Sequence, residues 1–418
     1  MDQEDVIYER CAGIDVHKRM IVVCLRIGRK TELRTFGTLT HELREMSTWL
    51  KSNGCQMAAM ESTGPYWKPL YNIFEIEELP AMVVNAQHMK AVPGRKTDMK
   101  DAQWIAKLLS QGLLKPSFIP DREQRDTRDL TRFRKSQIEE RARNLNRLQK
   151  MLEGANIKLA SLVSDIDGQS ATKLLELILG KPDFTVDDVA QRRHKRMNAS
   201  AEELFQSLEG IITPVQRELF KHVMQIIREQ TKQIEQTDAL IQKHMGEAYK
   251  QAAQALTAIP GIGKVSAQQI VAEIGYDMSR FPSAGHLCKW AGICPGNNES
   301  AGKRKSGKTS HANKALKSTL AQCAQSAKHN KSSFFSAQYQ RLVVRRGKNR
   351  STIAVAHSML IAVYHVLQGA QFHDLGSDYY TQFNREKKIN SYIKQLKTLG
   401  VNIPDDVLRS AIAEGVAA

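Results

Sequence analysis

The chain has 418 residues, of which 41% are hydrophobic and 25% charged, a mixture typical of two or three globular domains that excludes wholesale disorder. Lys and Arg total 61 against 44 Asp and Glu, and the resulting formal charge of +17 favours a polyanionic partner. No run of eighteen apolar residues occurs, the N-terminal MDQEDVIYER is acidic, and the six cysteines form no CxxC pair. We therefore expect a cytoplasmic protein with free thiols and without a secretory leader or a membrane partner.

The first 120 residues alternate strand and helix signals. β-Branched runs between short polar turns predict three strands, at 12–15, 20–25 and 31–36, and apolar residues at helical spacing predict a helix over 41–51. A strand at 56–60, a helix opened by Pro65, a strand at 79–84 and a helix over 98–111 complete the series. This element order is that of the RNase H-like fold, so we predict an α/β domain of that class over residues 1–120.

Four acidic residues stand where this fold would concentrate charge. Asp15 ends the first strand, Glu61 follows the strand QMAAM, and Asp98 and Asp101 are three apart, on one face of the predicted helix with its apolar stripe. Carboxylates on a core-facing stripe are costly unless they are paired or bind a metal ion. Oxygen ligands without His or Cys suit Mg²⁺ or Mn²⁺. Each acid alone is equally consistent with a strand end or a helix cap, and Asp98 in particular with a cap.

Long helices are predicted between residues 121 and 250. The segment 121–153 is polar and rich in Arg, whereas 155–212 carries weak signals. A helix capped by Thr213-Pro214 extends to about Tyr249, and apolar residues recur in it every seven positions, broken at Thr231 and Asp238. This seam predicts either an antiparallel or dimeric coiled coil, or one helix of a bundle that packs inside the monomer.

The C-terminal half carries features that are typical of nucleic-acid binding. Between residues 281 and 350 there are fourteen Lys or Arg and a single acid. The turn PGIG resembles a helix-hairpin-helix, in which Gly261, Gly263 and Lys264 would approach a phosphate. The run GICPGNNESAGKRKSGKTS places Ser300 beside a cluster of cations, namely Lys303, Arg304, Lys305 and Lys308. The run is consistent with a phosphate-binding loop, or with a serine nucleophile, for which Ser306 and Ser310 compete with Ser300 on spacing.

Several sequence blocks match one family pattern: GIDVHK, MESTGPYW, VNAQHMKAVPGRKTDMKDAQWIAKLL, AIPGIGKVSAQQIVAEIG and FPSAGHLCKWAGICPGNNESAGKRKSGKTSHANKALK. In these blocks, over roughly residues 8–155 and 250–370, the chain resembles the IS-one-ten family of insertion-sequence transposases. The resemblance places the family's four metal-binding acids (DEDD) on Asp15, Glu61, Asp98 and Asp101. It places the family's nucleophilic serine on Ser300, five residues after Pro295. The chain departs from the pattern at Ala301, where glycine is usual, at GIC in place of GL, and at HANK in place of Lys-x-Gly-Asn.

The resemblance implies a prokaryotic recombinase that excises and inserts a mobile element. It implies a RuvC-like metal domain over 1–120 and a mainly α-helical serine transposase domain with a helix-hairpin-helix over 251–370. From the sequence pattern we predict a helical coiled-coil linker over 121–250 and, over 371–418, a C-terminal helical extension with two short helices. The implied cofactor is Mg²⁺ or Mn²⁺. The implied partners are donor and target DNA, a structured non-coding guide RNA (bridge RNA) and further copies of the chain in a dimer or tetramer.

Two other functions remain open at this point. A RuvC-like, Mg²⁺-dependent nuclease would cut branched DNA with activated water and use its second domain as a passive clamp. An RNA-binding scaffold would carry a degenerate nuclease fold, although the presence of all four acids argues against it. A covalent protein–DNA adduct would distinguish the transposase from the nuclease.

Overall fold

A computed structural model describes residues 7–62, 64–85, 101–295, 298–300, 303–306, 309, 312–382 and 385–400. The contacts between residues divide the chain into two compact units, Met1–Pro120 and Asp121–Ala418. The first unit is a mixed α/β structure, and the second is almost entirely helical.

A five-stranded sheet in the order β3-β2-β1-β4-β5 forms the centre of the first unit. The strands are β1 (Arg10–Val16), β2 (Ile21–Ile27), β3 (Lys30–Phe36), β4 (Met57–Glu61) and β5 (Ala81–Val84). The first three strands pair antiparallel, whereas β4 lies parallel to β1 and β5 parallel to β4. The five strands predicted from the sequence are confirmed, and each begins and ends within two residues of its predicted position.

Helices cover both faces of this sheet. The helices α1 (Thr40–Ser52) and α2 (Trp67–Ile76) pack on one face, where Ile14 belongs to the same core cluster as Leu50 and Phe74. The opposite face, which holds Cys11 and Ala59, is covered by α3 (Asp101–Ser110). The expectation that Pro65 opens the second helix is wrong, because Tyr66 is its N-cap and Pro65 lies in the preceding turn.

Two long antiparallel helices form a stem in the second unit. They are α4 (Arg122–Gly154) and α9 (Pro214–His244). Asp121 caps α4 by accepting a hydrogen bond from the Gln124 amide at 2.8 Å. Thr213 caps α9 as predicted, but α9 ends at His244, and Tyr249 belongs to the next helix.

Four short helices connect the two stem helices, within the segment whose sequence signals are weak. They are α5 (Leu159–Leu162), α6 (Gln169–Gly180), α7 (Val186–Arg192) and α8 (Ala201–Leu208). Their apolar residues pack with the adjacent ends of the stem in one cluster, in which Leu152 of α4 and Phe220 of α9 meet Leu174 of α6. We call these four helices the cap.

The heptad pattern of α9 serves packing inside the chain, against α4. Its two polar interruptions accept hydrogen bonds from arginines of α4: Thr231 from Arg141 at 2.7 Å and Asp238 from Arg134 at 2.5 Å. Arg134 is 1% exposed and also donates to Gln268 Oε1 at 2.7 Å. Of the two arrangements predicted for the seam, the structure has the second, a helix that packs inside the monomer, here antiparallel to α4; the coiled coil stays a prediction.

The remainder of the second unit is a helical core around α15. It comprises α10 (Glu247–Leu256), α11 (Lys264–Ile274), a 3-10 turn (Met278–Arg280), α12 (Ala284–Trp290), the two strands β6 (Asn298–Ser300) and β7 (Lys303–Ser306), α13 (Lys314–Ala327), α14 (Phe334–Arg346) and α15 (Lys348–Leu367). Within the described ranges, α15 alone has the length and hydropathy of a membrane span. Half of that segment is buried, and residues such as Met359 and Leu360 are fully enclosed, as in a core helix.

Two further helices lie beyond residue 370, as the sequence predicts for the final fifty residues. They are α16 (Tyr379–Gln382) and α17 (Arg385–Thr398). The ring of Tyr380 stacks on Phe334 of α14 at 5.4 Å between centroids, and Arg341 lies over the same ring at 4.6 Å. These contacts attach α16 to the helical core.

Candidate active site

Two of the predicted acids lie at one edge of the sheet. In the parallel pair β1 and β4, Ile14 is in register with Met60, so Asp15 and Glu61 are the next residues of two adjacent strands. Because side chains alternate along a strand, Asp15 points to the same face as Gly13, and Glu61 to the same face as Ala59. The carboxyl ends of the two central strands therefore bring both carboxylates to one side of the sheet.

The helix that carries Asp101 covers this face at very short distance. A Cβ atom at Gly13 would lie 2.2 Å from the carbonyl oxygen of Ala102 and 2.3 Å from the amide nitrogen of Ala106. Only a glycine lets the backbone of α3 approach β1 so closely. Asp101 directly precedes Ala102 in α3, so the helix brings it close to β1, which carries Asp15 one residue before its end at Val16.

The predicted environment of Asp101 is wrong in one respect. We expected its carboxylate on the buried stripe with Ala102, Ile105 and Leu109, but Asp101 is exposed, whereas those three residues are buried. Within the described part of this helix, burial starts at Ala102, one residue after Asp101. The argument from desolvation therefore does not apply to Asp101. Asp98, the fourth acid, lies outside the described residues.

The carboxylates at this edge of the sheet suit a hard cation, although those in the described residues do not converge into a complete metal-binding cluster. Asp15, Glu61 and Asp101 offer carboxylate oxygens, which Mg²⁺ and Mn²⁺ prefer. In the described part of the chain, no three acidic, His or Cys side chains converge closely enough to hold a metal ion. The Asp15 carboxylate instead lies 3.1 Å from Nε2 of His17, an exposed residue that the sequence analysis did not single out. The donor set fits such a cation, and Asp98 would be its fourth member.

Ser300 lies in a short antiparallel hairpin. It ends β6 and pairs directly with Lys303, the first residue of β7, and Glu299 pairs with Arg304. Ser306 lies at the other end of β7, opposite Asn298. The two competing serines therefore differ in position: Ser300 faces the cationic start of the return strand, and Ser306 is at the base. Lys308 and Ser310 lie outside the described residues.

The base of this hairpin is tied to α13. Pro295 and Thr309 form an isolated antiparallel bridge that closes the hairpin, and Lys317 Nζ of α13 donates to Thr309 Oγ1. Asn313 caps the same helix through its side-chain oxygen, which accepts from the Leu316 amide at 3.1 Å. The base of the hairpin is therefore attached to the first turn of α13 through Thr309.

Two family models match separate parts of the chain. Residues 12–157 match the DEDD family model of IS110-type elements, described as Transposase, and residues 253–340 match the family described as Transposase IS116/IS110/IS902 family. The chain belongs to the IS110 family of transposases. It is also 24% identical over 333 residues to the transposase for insertion sequence element IS1111A of Coxiella burnetii (strain RSA 493 / Nine Mile phase I), an alignment that covers 78% of this chain and 80% of that protein.

Membership of the IS110 transposases assigns the first unit a general chemistry. The matched DEDD model takes its name from four acids, and it suggests that the transposase uses a divalent metal ion. The second match spans the PGIG turn, the serine hairpin and the helices up to α14. The resemblance to this family predicted from the sequence is confirmed.

The PGIG turn of the transposase joins α10 to α11, but its first glycine has an internal role. Gly261 has a φ of +90°, and a Cβ there would lie 2.6 Å from the carbonyl oxygen of Cys323 and 2.9 Å from the amide nitrogen of Ala327, both in α13. The Cβ side of Gly261 is therefore occupied by α13, and the approach of its backbone to a phosphate stays a prediction. Gly263, the N-cap of α11, and Lys264 remain exposed.

A buried ionic cluster next to the hairpin was not found from the sequence. Glu273, 2% exposed, receives two hydrogen bonds from Arg132, at 2.6 and 2.8 Å, and one from Asn313 at 2.6 Å. Arg128 lies 3.4 Å from the same carboxylate, and burial lowers the pKa of this guanidinium in spite of the nearby charge of Glu273. The only signal in the sequence is an acid within the apolar run QQIVAEIG.

Proposed function

We propose that this transposase cuts and rejoins DNA with Ser300 as nucleophile, assisted by Mg²⁺ or Mn²⁺ bound by Asp15, Glu61, Asp98 and Asp101. The observation that carries the proposal is the pairing of Ser300 with Lys303 at the end of a hairpin whose return strand begins Lys-Arg-Lys. A serine that attacks a phosphodiester needs cations nearby, because negative charge develops on the phosphoryl oxygens.

Each group has a definite part in this reaction. The Ser300 hydroxyl loses its proton as its oxygen forms a bond to the scissile phosphorus. The bond from phosphorus to the leaving strand breaks, and the leaving oxygen takes up a proton, so no net proton is gained or lost. Lys303, Arg304, Lys305 and Lys308 would hold the phosphate oxygens. The bound cation would supply Lewis-acid activation of the attacking hydroxyl. The resulting serine–phosphate ester keeps the energy of the phosphodiester available for rejoining.

We further infer that the first unit is an RNase H-like, RuvC-like domain. Its support is the strand order β3-β2-β1-β4-β5, with three antiparallel strands followed by two parallel ones, and the carboxylates at the ends of β1 and β4. We also infer that α10, the PGIG turn and α11 form a helix-hairpin-helix. The exposed amide of Gly263 and the side chain of Lys264 would contact a DNA phosphate there.

The family resemblance also supplies the proposed partners. We propose that donor and target sites are chosen by a structured non-coding guide RNA, since base pairing can supply sequence specificity while a basic surface holds the backbone. Assembly of the chain into a dimer or tetramer would combine carboxylate and serine sites from different copies. The proposed location is the bacterial cytoplasm, where the DNA and the RNA both occur.

Trapping of a covalent adduct tests the nucleophile. Wild type, Ser300→Ala and Ser306→Ala, each loaded with the guide RNA, are incubated with end-labelled DNA of the element's own end and then denatured. We expect wild type and Ser306→Ala to retain label, and Ser300→Ala to retain none while it binds DNA normally. An adduct formed by Ser300→Ala but absent from Ser306→Ala would transfer the role to Ser306. The absence of any adduct would favour the nuclease that uses activated water.

Removal of single carboxylates tests the metal site. Asp15→Asn and Asp101→Asn should bind DNA as wild type does, because the basic second unit is unchanged, and should fail to cut it in Mg²⁺. Full cleavage by either variant, or by wild type in excess EDTA, would contradict the metal-site proposal.

A further inference from the structure

Glu273 is a buried carboxylate of α11 whose partners come from two other parts of the second unit. It lies in the last turn of α11 and is 2% exposed. Arg132 of α4 donates to both of its oxygens, and Asn313, the N-cap of α13, donates to Oε2 at 2.6 Å. One side chain therefore connects a stem helix, α11 and the start of α13.

Asn313 is held at both ends of its side chain. Its Oδ1 accepts from the Leu316 amide at 3.1 Å, and its Nδ2 donates to Glu273. The N-cap hydrogen bond to Leu316 fixes Asn313 relative to α13, and the hydrogen bond to Glu273 fixes it relative to α11. Two bonds in different directions leave the side chain a single orientation, so the first turn of α13 cannot shift without breaking one of them.

The first turn of α13 is also the attachment point of the serine hairpin. Lys317, four residues after Asn313 and hence on the same face of the helix, donates to Thr309, whose backbone bridges Pro295. The return strand β7 that leads to Thr309 pairs with Ser300 through Lys303. A short path of contacts thus joins Glu273 to the hairpin: Glu273, Asn313, the first turn of α13, Lys317 and Thr309.

The composition of this cluster favours a role in positioning. Burial of a charged pair recovers little net stability, because desolvation offsets most of the attraction, whereas hydrogen bonds to charges are directional. An apolar contact would hold α11 against α13 with a smaller desolvation cost, but it would not define the orientation of the side chain at position 313.

We propose that Glu273 and Asn313 are positioning residues that hold the serine hairpin in place for attack on DNA. The inference rests on the proposed role of Ser300, and its structural part can be measured independently of that role. Neither residue touches the reacting atoms; both act through the first turn of α13 and Thr309.

Three variants test the hydrogen bond between Asn313 and Glu273 separately from the N-cap of α13. Asn313→Ser retains a capping oxygen but is too short to reach Glu273. Asn313→Asp also retains the N-cap hydrogen bond, and it places a second carboxylate next to that of Glu273. The double variant Glu273→Gln with Asn313→Asp restores a hydrogen bond in the reverse direction and keeps the net charge of the cluster. Asp167→Asn removes the ion-pair partner of Arg141 in the segment between α5 and α6. It serves as a control for an ion pair lost elsewhere in the second unit.

Two readouts are taken for each variant of the RNA-loaded protein. The first is the single-turnover rate of adduct formation, with the Kd for DNA of the element's end measured alongside. The second is the rate of tryptic cleavage after Lys303, Arg304 and Lys305, relative to cleavage elsewhere in the chain. Tryptic cleavage reports local opening of the hairpin and needs no catalysis.

For Asn313→Ser and Asn313→Asp we expect an adduct rate about tenfold to a hundredfold lower, because a displacement of about 1 Å has effects of this size. The Kd for DNA should be unchanged, and cleavage in the hairpin should be selectively faster. The double variant should return both readouts towards wild type, and Asp167→Asn should alter neither.

Unchanged hairpin cleavage in both single variants, or equal acceleration at every tryptic site, would overturn the positioning role. If wild type itself forms no adduct, the proposed nucleophile fails, and the cleavage comparison alone then decides the role of Glu273 and Asn313.

Discussion

Replacement of Gly13 by alanine should lower both the activity of the carboxylate site and the stability of the protein. The added Cβ would lie 2.2 Å from the Ala102 carbonyl oxygen, where even a close C···O contact is about 3.3 Å. The helix α3 must therefore move away from β1 by about 1 Å, and Asp101 at its start moves with it. Overpacking of this kind costs about 1–3 kcal/mol, whereas a displacement of about 1 Å at a reacting group lowers rates about a hundredfold.

The two effects are measured separately. Thermal unfolding followed by circular dichroism gives the loss of stability, and Mg²⁺-dependent strand cleavage, at a temperature where the variant is fully folded, gives the loss of rate. Gly28→Ala is the matched control, since its φ of +58° opposes a Cβ although no atom lies within 4 Å of that position. Its strain of about 1–2 kcal/mol should lower stability similarly without moving α3. Equal cleavage rates for Gly13→Ala and Gly28→Ala would refute the reasoning.

Three further outcomes follow from the structure and the proposed function. Burial raises the pKa of Cys11 and Cys288 to about 12 and that of Cys24 and Cys55 to about 11, so iodoacetamide at about pH 8 should leave these thiols unmodified until denaturant is added. Burial lowers the pKa of His357, so the unfolded chain binds the proton more readily. Stability should therefore fall as the pH drops below about 6.5, and the urea midpoint of His357→Gln should fall less over that range. RNA-free protein should bind DNA only weakly, with a Kd of about 1 μM or higher and no sequence preference; sequence-specific recombination by such a preparation would contradict guidance by RNA.

Regular periodicity explains why the sheet could be predicted. Strands such as β2 and β4 are continuous apolar runs between polar turns, and local pattern alone limits where they begin and end. The placement of Asp15 and Glu61 at adjacent strand ends follows from the same pattern once the fold class is chosen. The exposure of Asp101 could not be predicted in this way, because the helical stripe in the sequence includes this residue although burial begins at Ala102.

The contacts missed in the second unit are those between distant residues. Two helices of the cap begin with capping boxes, Thr185 with Asp188 and Ser200 with Glu203, which are local signals that a closer search would find. The bonds between Arg132 and Glu273 join residues 141 positions apart, and no local pattern encodes them. The partner of the α9 heptads was ambiguous for the same reason, since a seam shows which face is buried but not what covers it.

The polar middle of the stem separates two apolar cores that share the same pair of helices. Towards the cap, Leu152 and Phe220 belong to one core, and towards α15, Ile241 belongs to the other. Between them the contacts are directional bonds, such as Arg141 to Thr231 and Arg134 to Asp238. A hydrogen bond is satisfied in only one register, whereas apolar side chains tolerate sliding, so the polar middle of the stem fixes the register of α4 against α9. Because it separates the two apolar cores, we expect the cap to be able to unfold, or to change in length during evolution, without loosening the core that carries the serine hairpin.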